Sequence, residues 1–166
     1  MNQMKKEQMG FRPVRKMKQA LDEETCVSLL EKNGTGTLAL IGDGGFPYAV
    51  PVNYMYRGGC IYFHGTENGH KGDAIAKDAR VSMCVIARDI LLPEKYTTDF
   101  CSVIVFGEAA SIADAAKKRR IIRAFAEKFC SGCLDGVEEE IDREWEILTV
   151  WELKIRHMSG KQGGEA

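Results

Sequence analysis

The sequence lacks the features that mark a membrane protein or a nucleic-acid-binding protein. No apolar run in its 166 residues is long enough to cross a bilayer, and the basic N-terminus is not followed by the apolar stretch of a signal peptide. Lysine and arginine total 23 against 24 acidic residues, and the net charge of −1 gives no indication of a nucleic-acid partner. We therefore expect a cytoplasmic protein without a membrane or nucleic-acid partner.

Metal-binding and nucleotide-binding motifs are also missing. The sequence has 3 histidines, and His64 and His70 do not have a recognised zinc-ligand spacing. No Walker motif is present, and no GxGxxG follows a predicted strand. We predict no metal site.

The segment Cys130-Ser131-Gly132-Cys133 allows three interpretations. It could be half of a zinc site, but no second CxxC or histidine pair completes such a site. It could be a redox pair, but it follows a predicted helix, where the helix dipole disfavours a thiolate. It could be a turn that carries two reduced thiols, and we favour this interpretation.

The composition, 45% hydrophobic and 28% charged, is typical of a globular domain. Residues 1–20 form a basic arm, in which only Glu7 opposes Lys5, Lys6, Arg12, Arg15, Lys16 and Lys18. This arm is either solvated or contacts a partner subunit or an anionic ligand. We predict a single domain over residues 21–157 and a flexible, glycine-rich tail over residues 158–166.

Capping signals and hydrophobic periodicity indicate the secondary structure. Asp22 and Asp114 are predicted helix N-caps, with Lys117 to Arg120 facing solvent, and short helices are predicted over residues 71–77 and 138–145. Strands are predicted over residues 35–41, 48–57, 60–66, 81–87, 102–110 and 148–155, with a loop over residues 89–99. Because most strands follow one another in hairpins, we expect a mainly β (α+β) fold, a six-stranded antiparallel barrel with flanking helices.

The hairpin over residues 48–66 is the most informative part of the sequence. Its turn at Gly58-Gly59 predicts the pairs Arg57–Cys60, Met55–Tyr62, Asn53–His64 and Pro51–Thr66. Alternation then gives one core face, made of Val50, Val52, Tyr54, Tyr56, Ile61 and Phe63. The other face brings Asn53, His64 and Thr66 together at the open end of the hairpin.

The loop that follows the hairpin has the groups that bind a phosphate. A helix that begins near Gly69-His70 offers free N–H groups, Thr66 offers a hydroxyl and Lys71 offers a positive charge. Taken alone, the same residues also fit a plain loop with a solvated lysine.

Three residues depart from the apolar pattern of the hairpin. Pro51 removes a backbone donor, which indicates a sheet edge, a bulge or a place where a ligand replaces a strand. The amide of Asn53 can hydrogen-bond the imide edge of a flat heterocycle. His64 is either a satisfied structural residue or a group that exchanges a proton near neutral pH.

The motifs PYAVPVNY, YFHGTENGHK and SVIVFGEA, in this order, resemble the pyridoxamine 5′-phosphate oxidase-like flavoproteins, and most of all their nitroimidazole-resistance (Nim-type) group. The resemblance implies a split β-barrel that assembles as a homodimer, with FMN at the subunit interface. It assigns Pro51, Val52 and Asn53 to the flavin, and His64, Gly65 and Thr66 to the flavin and the ribityl phosphate. Lys71 is assigned to the phosphate and Ser102 to the pyrimidine edge, while Trp151 completes the site of the partner chain.

The resemblance also implies a function. We expect an FMN-dependent reductase of small electron-poor molecules, such as nitroaromatics, in which His64 is the catalytic residue that protonates the product or orients the substrate. Vitamin B6 oxidation is not expected, because the arginine-rich substrate signature is absent near the C-terminus. Two alternatives stay open: FMN binding for storage or sensing without turnover, and haem binding through His64, His70 or His157.

Overall fold

The computed structural model describes residues 10–164 and divides them into strands and helices in the following order. The elements are β1 (Ala20–Leu21), α1 (Glu23–Lys32), β2 (Thr35–Ile41), β3 (Pro47–Arg57), β4 (Cys60–Thr66), α2 (His70–Lys77), β5 (Arg80–Leu92), β6 (Thr97–Ser111), α3 (Ala115–Phe129), α4 (Val137–Glu144) and β7 (Leu148–Gly163). Among these residues, no helix has the length and apolar character needed to cross a membrane.

Six of the strands form a closed antiparallel ring. Strands β7, β4, β3, β2, β5 and β6 are neighbours in this order, and the pairing of β6 with β7 closes the sheet. The two-residue strand β1 adds to the far end of β7, where Leu21 lies opposite Gly160. The predicted fold class, a mainly β split barrel with flanking helices, is confirmed, because six antiparallel strands form one closed sheet with helices beside it.

Local hydrogen bonds begin the two longest helices where the sequence predicts them. The Asp22 carboxylate accepts a hydrogen bond from the Thr25 N–H at 2.8 Å at the start of α1. The Asp114 carboxylate accepts one from the Lys117 N–H at 2.6 Å at the start of α3. Each carboxylate satisfies a backbone donor that the first helical turn leaves without a partner.

Two apolar clusters position the site. The first fills the barrel and includes the fully buried Leu38, Tyr54, Phe63 and Met83. The second lies between α3 and the outer face of the barrel, where Met55, Tyr62, Val150 and Phe125 are buried together. The alternation predicted for the hairpin therefore holds, with one face of β3 and β4 inside the barrel and the other face beneath α3.

The strands β5, β6 and β7 are longer than the sequence predicts. The predicted loop over residues 89–99 shrinks to residues 93–96, because residues 88–92 pair with residues 97–101. Strand β7 continues to Gly163, where the sequence predicts an end at Ile155, so that residues 158–163 of the predicted tail belong to the sheet. Residues 1–9 of the predicted arm and residues 165–166 of the tail lie outside the described residues.

Close packing explains why a glycine-rich segment forms a strand here. A Cβ atom at position 160 would lie 2.4 Å from the Cys26 sulfur, and one at position 163 would lie 2.6 Å from the Phe100 ring. These glycines let β7 lie close against α1 and the Phe100 ring. The glycine-rich sequence therefore reflects close packing of neighbouring elements and not a mobile end.

Of the four cations of α3 that the sequence predicts to face solvent, Arg120 is exposed, whereas Lys117, Lys118 and Arg119 have partners. Lys117 Nζ lies 2.7 Å from a Glu152 carboxylate oxygen on β7. Arg119 donates to Glu138 at 2.9 Å and also pairs with Asp142, both on α4. Lys118 Nζ donates to the Trp145 carbonyl at 3.0 Å. Sequence periodicity alone gives no indication of these contacts, which attach α4 and β7 to α3.

Candidate functional site

The site is built where strands β3 and β4 separate. Their register runs from Arg57–Cys60 to Tyr54–Phe63, as the sequence predicts. Beyond Tyr54, residues 47–53 of β3 pair with β2, whereas residues 64–66 of β4 pair with β7. The predicted ladder pairs Asn53–His64 and Pro51–Thr66 are therefore wrong. The ladder between β3 and β4 ends at Tyr54–Phe63, and beyond it β3 pairs only with β2 and β4 only with β7.

This separation leaves a notch, which we define by residues 51–53 on one side and residues 64–66 on the other. No strand among residues 10–164 pairs with residues 47–53 of β3 on the side away from β2. Pro51 lies in this one-sided stretch, in agreement with the prediction of a sheet edge.

A cavity of about 530 Å³ lies beside the notch. Asn53 and His64 line it from the barrel, so the two side chains share one space although they are not paired in the sheet. The remaining walls come from α3, α4 and the segment between them, and include Ile122, Phe125, Ala126, Phe129, Cys130, Cys133, Val137 and Ile141. A mainly apolar wall with a few polar groups is typical of a small-molecule site of this size.

His64 contacts this cavity with an imidazole that is neutral at pH 7. Its ring meets Phe125 edge-on, with 5.0 Å between the ring centroids and an interplanar angle of 83°. Burial lowers the pKa of His64, and the positive charge of Lys71 lowers it further. A neutral imidazole can donate a hydrogen bond from one nitrogen and accept one at the other.

Lys71 is a half-buried cation at the start of α2. Its Nζ donates to the His64 carbonyl at 3.3 Å and lies 4.9 Å from the centroid of the Trp151 ring. Burial lowers the pKa of Lys71, and no carboxylate pairs with it among residues 10–164. A partly desolvated ammonium without a counter-ion gains free energy when an anion binds beside it.

Glycines shape the backbone around this ammonium. A Cβ atom at Gly65 would lie 2.8 Å from Lys71 Nζ, so the absence of a side chain lets the ammonium lie against β4. Gly69 has φ of 141°, a conformation that favours glycine, and directly precedes α2 without a side-chain cap. The Thr66 hydroxyl donates to the Asn68 carbonyl at 3.2 Å and holds the connecting loop.

Of three other predicted site residues, Val52 belongs to the notch and Trp151 lies beside Lys71, both with buried side chains, whereas Ser102 lies elsewhere. Val52 is buried in the barrel core, so it presents backbone and not side chain to the notch. Trp151 is only 3% exposed, stacks on Phe63 and lies with its ring 4.9 Å from Lys71 Nζ, and its contact with a cofactor of the partner chain stays a prediction. Ser102 lies on β6 opposite Lys161 and lines a different cavity. The structure thus brings together Asn53, His64, Gly65 and Lys71, but not Ser102.

Sequence reasoning missed the helical wall of the cavity. Hydrophobic periodicity places Phe125 and Phe129 on one apolar stripe of α3, but only the docking of α3 decides that they line the same cavity as His64. Cys130 and Cys133 form the predicted turn, with a Cys133 N–H to Cys130 carbonyl bond of 2.8 Å, and line the same cavity. Within residues 10–164, no group of three or more His, Cys, Asp or Glu side chains is arranged to hold a metal ion.

His70 has a structural position that the sequence did not indicate. Its ring stacks on Tyr48 with 4.0 Å between centroids, and its Nε2 accepts a hydrogen bond from the Asp43 N–H at 3.3 Å. These contacts attach the first residue of α2 to the turn between β2 and β3, and so help to fix the neighbouring Lys71.

Solved structures with the same fold include several proteins from bacteria. The flavocytochrome Anf3 from Azotobacter vinelandii is 24% identical, with a TM-score of 0.74 over 92% of this chain and 72% of that chain. An FAD-binding protein from Mesorhizobium loti is 23% identical, with a TM-score of 0.65 over 87% and 97% of the two chains. A putative 5-nitroimidazole antibiotic resistance protein from Bacteroides thetaiotaomicron is 19% identical, with a TM-score of 0.64 over 86% and 85%. At these identities the likeness establishes the fold alone.

The family assignment comes from the sequence itself. No curated protein matches the chain. A family profile, described as pyridoxamine 5′-phosphate oxidase, matches residues 22–162, from the N-cap of α1 almost to the end of β7. Because this match includes residues of every helix and strand named above except β1, and all of the notch, the chain belongs to the pyridoxamine 5′-phosphate oxidase family.

Proposed function

We propose that this chain binds FMN at the notch and uses the reduced flavin to reduce small electron-poor molecules of the nitroaromatic type. The observation that carries the proposal is Lys71, a half-buried cation without a carboxylate partner among the described residues, set against Gly65. Resemblance to the Nim-type group and the flavin named for the Azotobacter vinelandii and Mesorhizobium loti neighbours support the same cofactor class.

The residues of the notch fit such a cofactor. Lys71 and the uncapped N-terminus of α2 would hold the phosphate, because both are positive and the ammonium of Lys71 lies beside Gly65. Asn53, an exposed amide on the one-sided edge of β3, would hydrogen-bond the edge of the ring system. When bound, the flavin would supply the transfer of electrons or hydride.

The cavity suits the substrate of this reaction. Its apolar helical wall would exclude water, and a flat aromatic substrate would pack against Phe125. The protonated fraction of His64, which grows as pH falls, would supply a proton to the reduced product. Because burial and Lys71 lower the pKa of His64, the neutral ring would also orient the substrate through one hydrogen bond.

The proposal includes a homodimer. On the outer face of β5 and β6, Ile86 is 61% exposed and Ile104 is 40% exposed. Ile86 lies opposite Ser102 and Ile104 lies opposite Cys84, so the two isoleucines are diagonal neighbours on adjacent strands. A second copy would cover this apolar strip. Sedimentation of the purified protein should give twice the mass of one chain, and replacement of Ile86 and Ile104 by Ser should give monomers.

Binding and turnover are tested separately. We expect the protein to quench the fluorescence of added FMN more strongly than that of added riboflavin. FAD is titrated in the same way as the alternative flavin nucleotide. Anaerobically reduced holoprotein should then reoxidise faster with a nitroaromatic than free reduced FMN does. Protein that binds none of the three flavins would remove the proposal, whereas tight FMN binding without faster reoxidation would favour the alternative of storage or sensing.

His64 is tested by replacement with Gln, which keeps a hydrogen-bonding side chain but exchanges no proton near neutral pH. If His64 donates the proton, kcat should fall while KM changes little, and the pH profile should lose the limb in which activity decreases as pH rises through the pKa of His64. Equal values for both proteins would exclude the proton-donor role. Glu67→Gln is a matched control on an exposed loop residue.

Haem binding is a second candidate function, and the surroundings of the three histidines indicate which of them could be the ligand. His70 stacks on Tyr48, and His157 stacks on Phe11 with 4.7 Å between centroids and lines a cavity of about 340 Å³. His64 lines the cavity of about 530 Å³ beside the notch. A haem ligand in this chain would therefore be His64. A Soret band that forms on haem addition and is lost in His64→Ala would support this candidate; haem uptake unchanged in His64→Ala would exclude it.

A further inference from the structure

Two of the six cysteines lie together in the segment between α3 and α4. Cys130 and Cys133 are exposed, whereas the other four are buried or partly buried. Both line the cavity of about 530 Å³ beside the notch. The strip that a second copy would cover is separate from them, since neither Ile86 nor Ile104 lines this cavity. The segment therefore presents an accessible pair of thiols to a cavity.

The turn holds the two cysteines close enough for a disulfide. The Cys133 N–H donates to the Cys130 carbonyl at 2.8 Å, which closes a turn of four residues. Cys130 is fixed to the end of α3, because its N–H donates to the Ala126 carbonyl at 2.7 Å. A turn of four residues keeps its end Cα atoms within about 7 Å, and disulfide-bonded cysteines have Cα atoms about 4.4–6.8 Å apart. A bond between Cys130 and Cys133 therefore needs rotation of two side chains and little movement of the backbone.

Two aromatic rings connect this turn to His64. Phe129 directly precedes Cys130 and stacks on Phe125, with 5.7 Å between the ring centroids. Phe125 in turn meets the His64 ring edge-on, with 5.0 Å between centroids. All of these residues line the same cavity. A change at the turn is therefore transmitted to the imidazole through contacts within one wall.

We propose that Cys130 and Cys133 react with small organic disulfides to form an intramolecular disulfide, which alters the cavity wall beside His64. The thiolate of one cysteine attacks a sulfur of the organic disulfide, forms a mixed disulfide and releases one thiolate of the reagent. The thiolate of the second cysteine then attacks the protein sulfur of the mixed disulfide, forms the Cys130–Cys133 bond and releases the other thiolate. The protein loses two electrons and two protons, and the organic disulfide becomes two thiols.

This modification differs from catalysis by a redox pair, against which the sequence argues. A catalytic pair needs a stabilised thiolate, which the C-terminal end of a helix dipole disfavours. A reversible modification needs only access for the reagent and a second thiol close by, because exchange then proceeds at the rate of an ordinary thiol. The proposal goes beyond the proposed function, since none of its steps involves a flavin.

Equilibration of the purified protein with reduced and oxidised glutathione tests the modification. At about 0.1 mM reduced glutathione, the internal disulfide should exceed the mixed disulfide about tenfold or more, because a second thiol on a short linker has an effective concentration in the millimolar range or above. Intact mass after alkylation counts the free thiols, and peptide mapping locates the bond. Cys130→Ser and Cys133→Ser should each form only a mixed disulfide. Cys60→Ser, the matched control outside the cavity, should form the internal disulfide as the original protein does.

The effect on the cavity has a readout of its own, which needs no added flavin and so does not depend on the proposed FMN site. In NMR spectra, the ring signals of His64 should shift between the reduced and the oxidised protein, and Cys130→Ser/Cys133→Ser should abolish this shift. His70, which stacks on Tyr48 and does not line this cavity, should give the same signals in both forms. Cysteines 130 and 133 that stay reduced, or that carry only mixed disulfides at every glutathione ratio, would overturn the inference. An internal disulfide that leaves the His64 signals unchanged would overturn it as well.

Discussion

The replacement Lys71→Ala separates phosphate recognition from every other contribution of the notch. The ammonium donates to the His64 carbonyl at 3.3 Å and rests 4.9 Å from the Trp151 ring, and it has no carboxylate partner among residues 10–164. Its removal therefore leaves no acidic group unpaired. We expect the free energy of unfolding to change by about 1 kcal/mol or less, as for one modest hydrogen bond.

The effect on FMN should be larger. A hydrogen bond to a charged group contributes about 1.5–3 kcal/mol, so FMN affinity should fall by about 10- to 150-fold. Riboflavin has no phosphate and should bind both proteins equally. Fluorescence quenching titrations with the two ligands measure this difference directly.

The control for this prediction lies on the same helix. Lys77→Ala removes an exposed lysine from the last turn of α2, away from Gly65, and should leave both affinities unchanged. FMN affinity that is unaltered in Lys71→Ala, or a loss that is the same for FMN and riboflavin, would refute the assignment of Lys71 to the phosphate.

Three further predictions follow from the geometry of the notch and the barrel. Gly65→Ala should displace the ammonium of Lys71, since the new Cβ would lie 2.8 Å from Nζ, and FMN affinity should fall with little change in the melting temperature. In an NMR titration, the His64 midpoint should lie below the usual value of about 6.5 and should rise in Lys71→Ala; a midpoint at or above 6.5 in the original protein would contradict the burial of the ring. Because the folded state binds this proton less tightly than the unfolded state, the His64 contribution to stability should be lost as pH falls from about 6.5 towards the folded-state pKa. Gly107→Ala should lower the free energy of unfolding by about 1–3 kcal/mol or more, because its Cβ would meet a backbone carbonyl at 2.2 Å, whereas Gly132→Ala, with no atom within 4 Å, should not; equal denaturation midpoints would show that the bulge relaxes.

Much of the local structure could be predicted because its causes lie within a few residues of one another. The bounds of β2 and the N-caps of α1 and α3 agree with the structure. The turn at Gly58-Gly59, where both residues have positive φ, also sets the first rungs between β3 and β4. A glycine inside a strand pattern is typical of a bulge, and at Gly107 the register between β6 and β7 shifts.

The errors concern contacts between segments that are distant in sequence. The rung between Asn53 and His64 does not form, because the ladder between β3 and β4 ends at Tyr54–Phe63, beyond which β3 keeps only β2 and β4 keeps only β7 as a neighbour. Strand β7 extends past Ile155 because β6 offers it a partner over its whole length. Neither choice is encoded in the hydrophobic pattern of a single strand.

The sequence by itself determined the family, the barrel, and the order in which an amide, an imidazole, a glycine and a lysine follow along one hairpin and its loop. Only the tertiary structure decided that the hairpin splits at Tyr54, that α3 and α4 enclose a cavity above His64, and that Ser102 faces the basic arm instead. The physical reason is range: caps and turns depend on neighbours along the chain, whereas a cavity depends on which distant surfaces bury the most apolar area against each other.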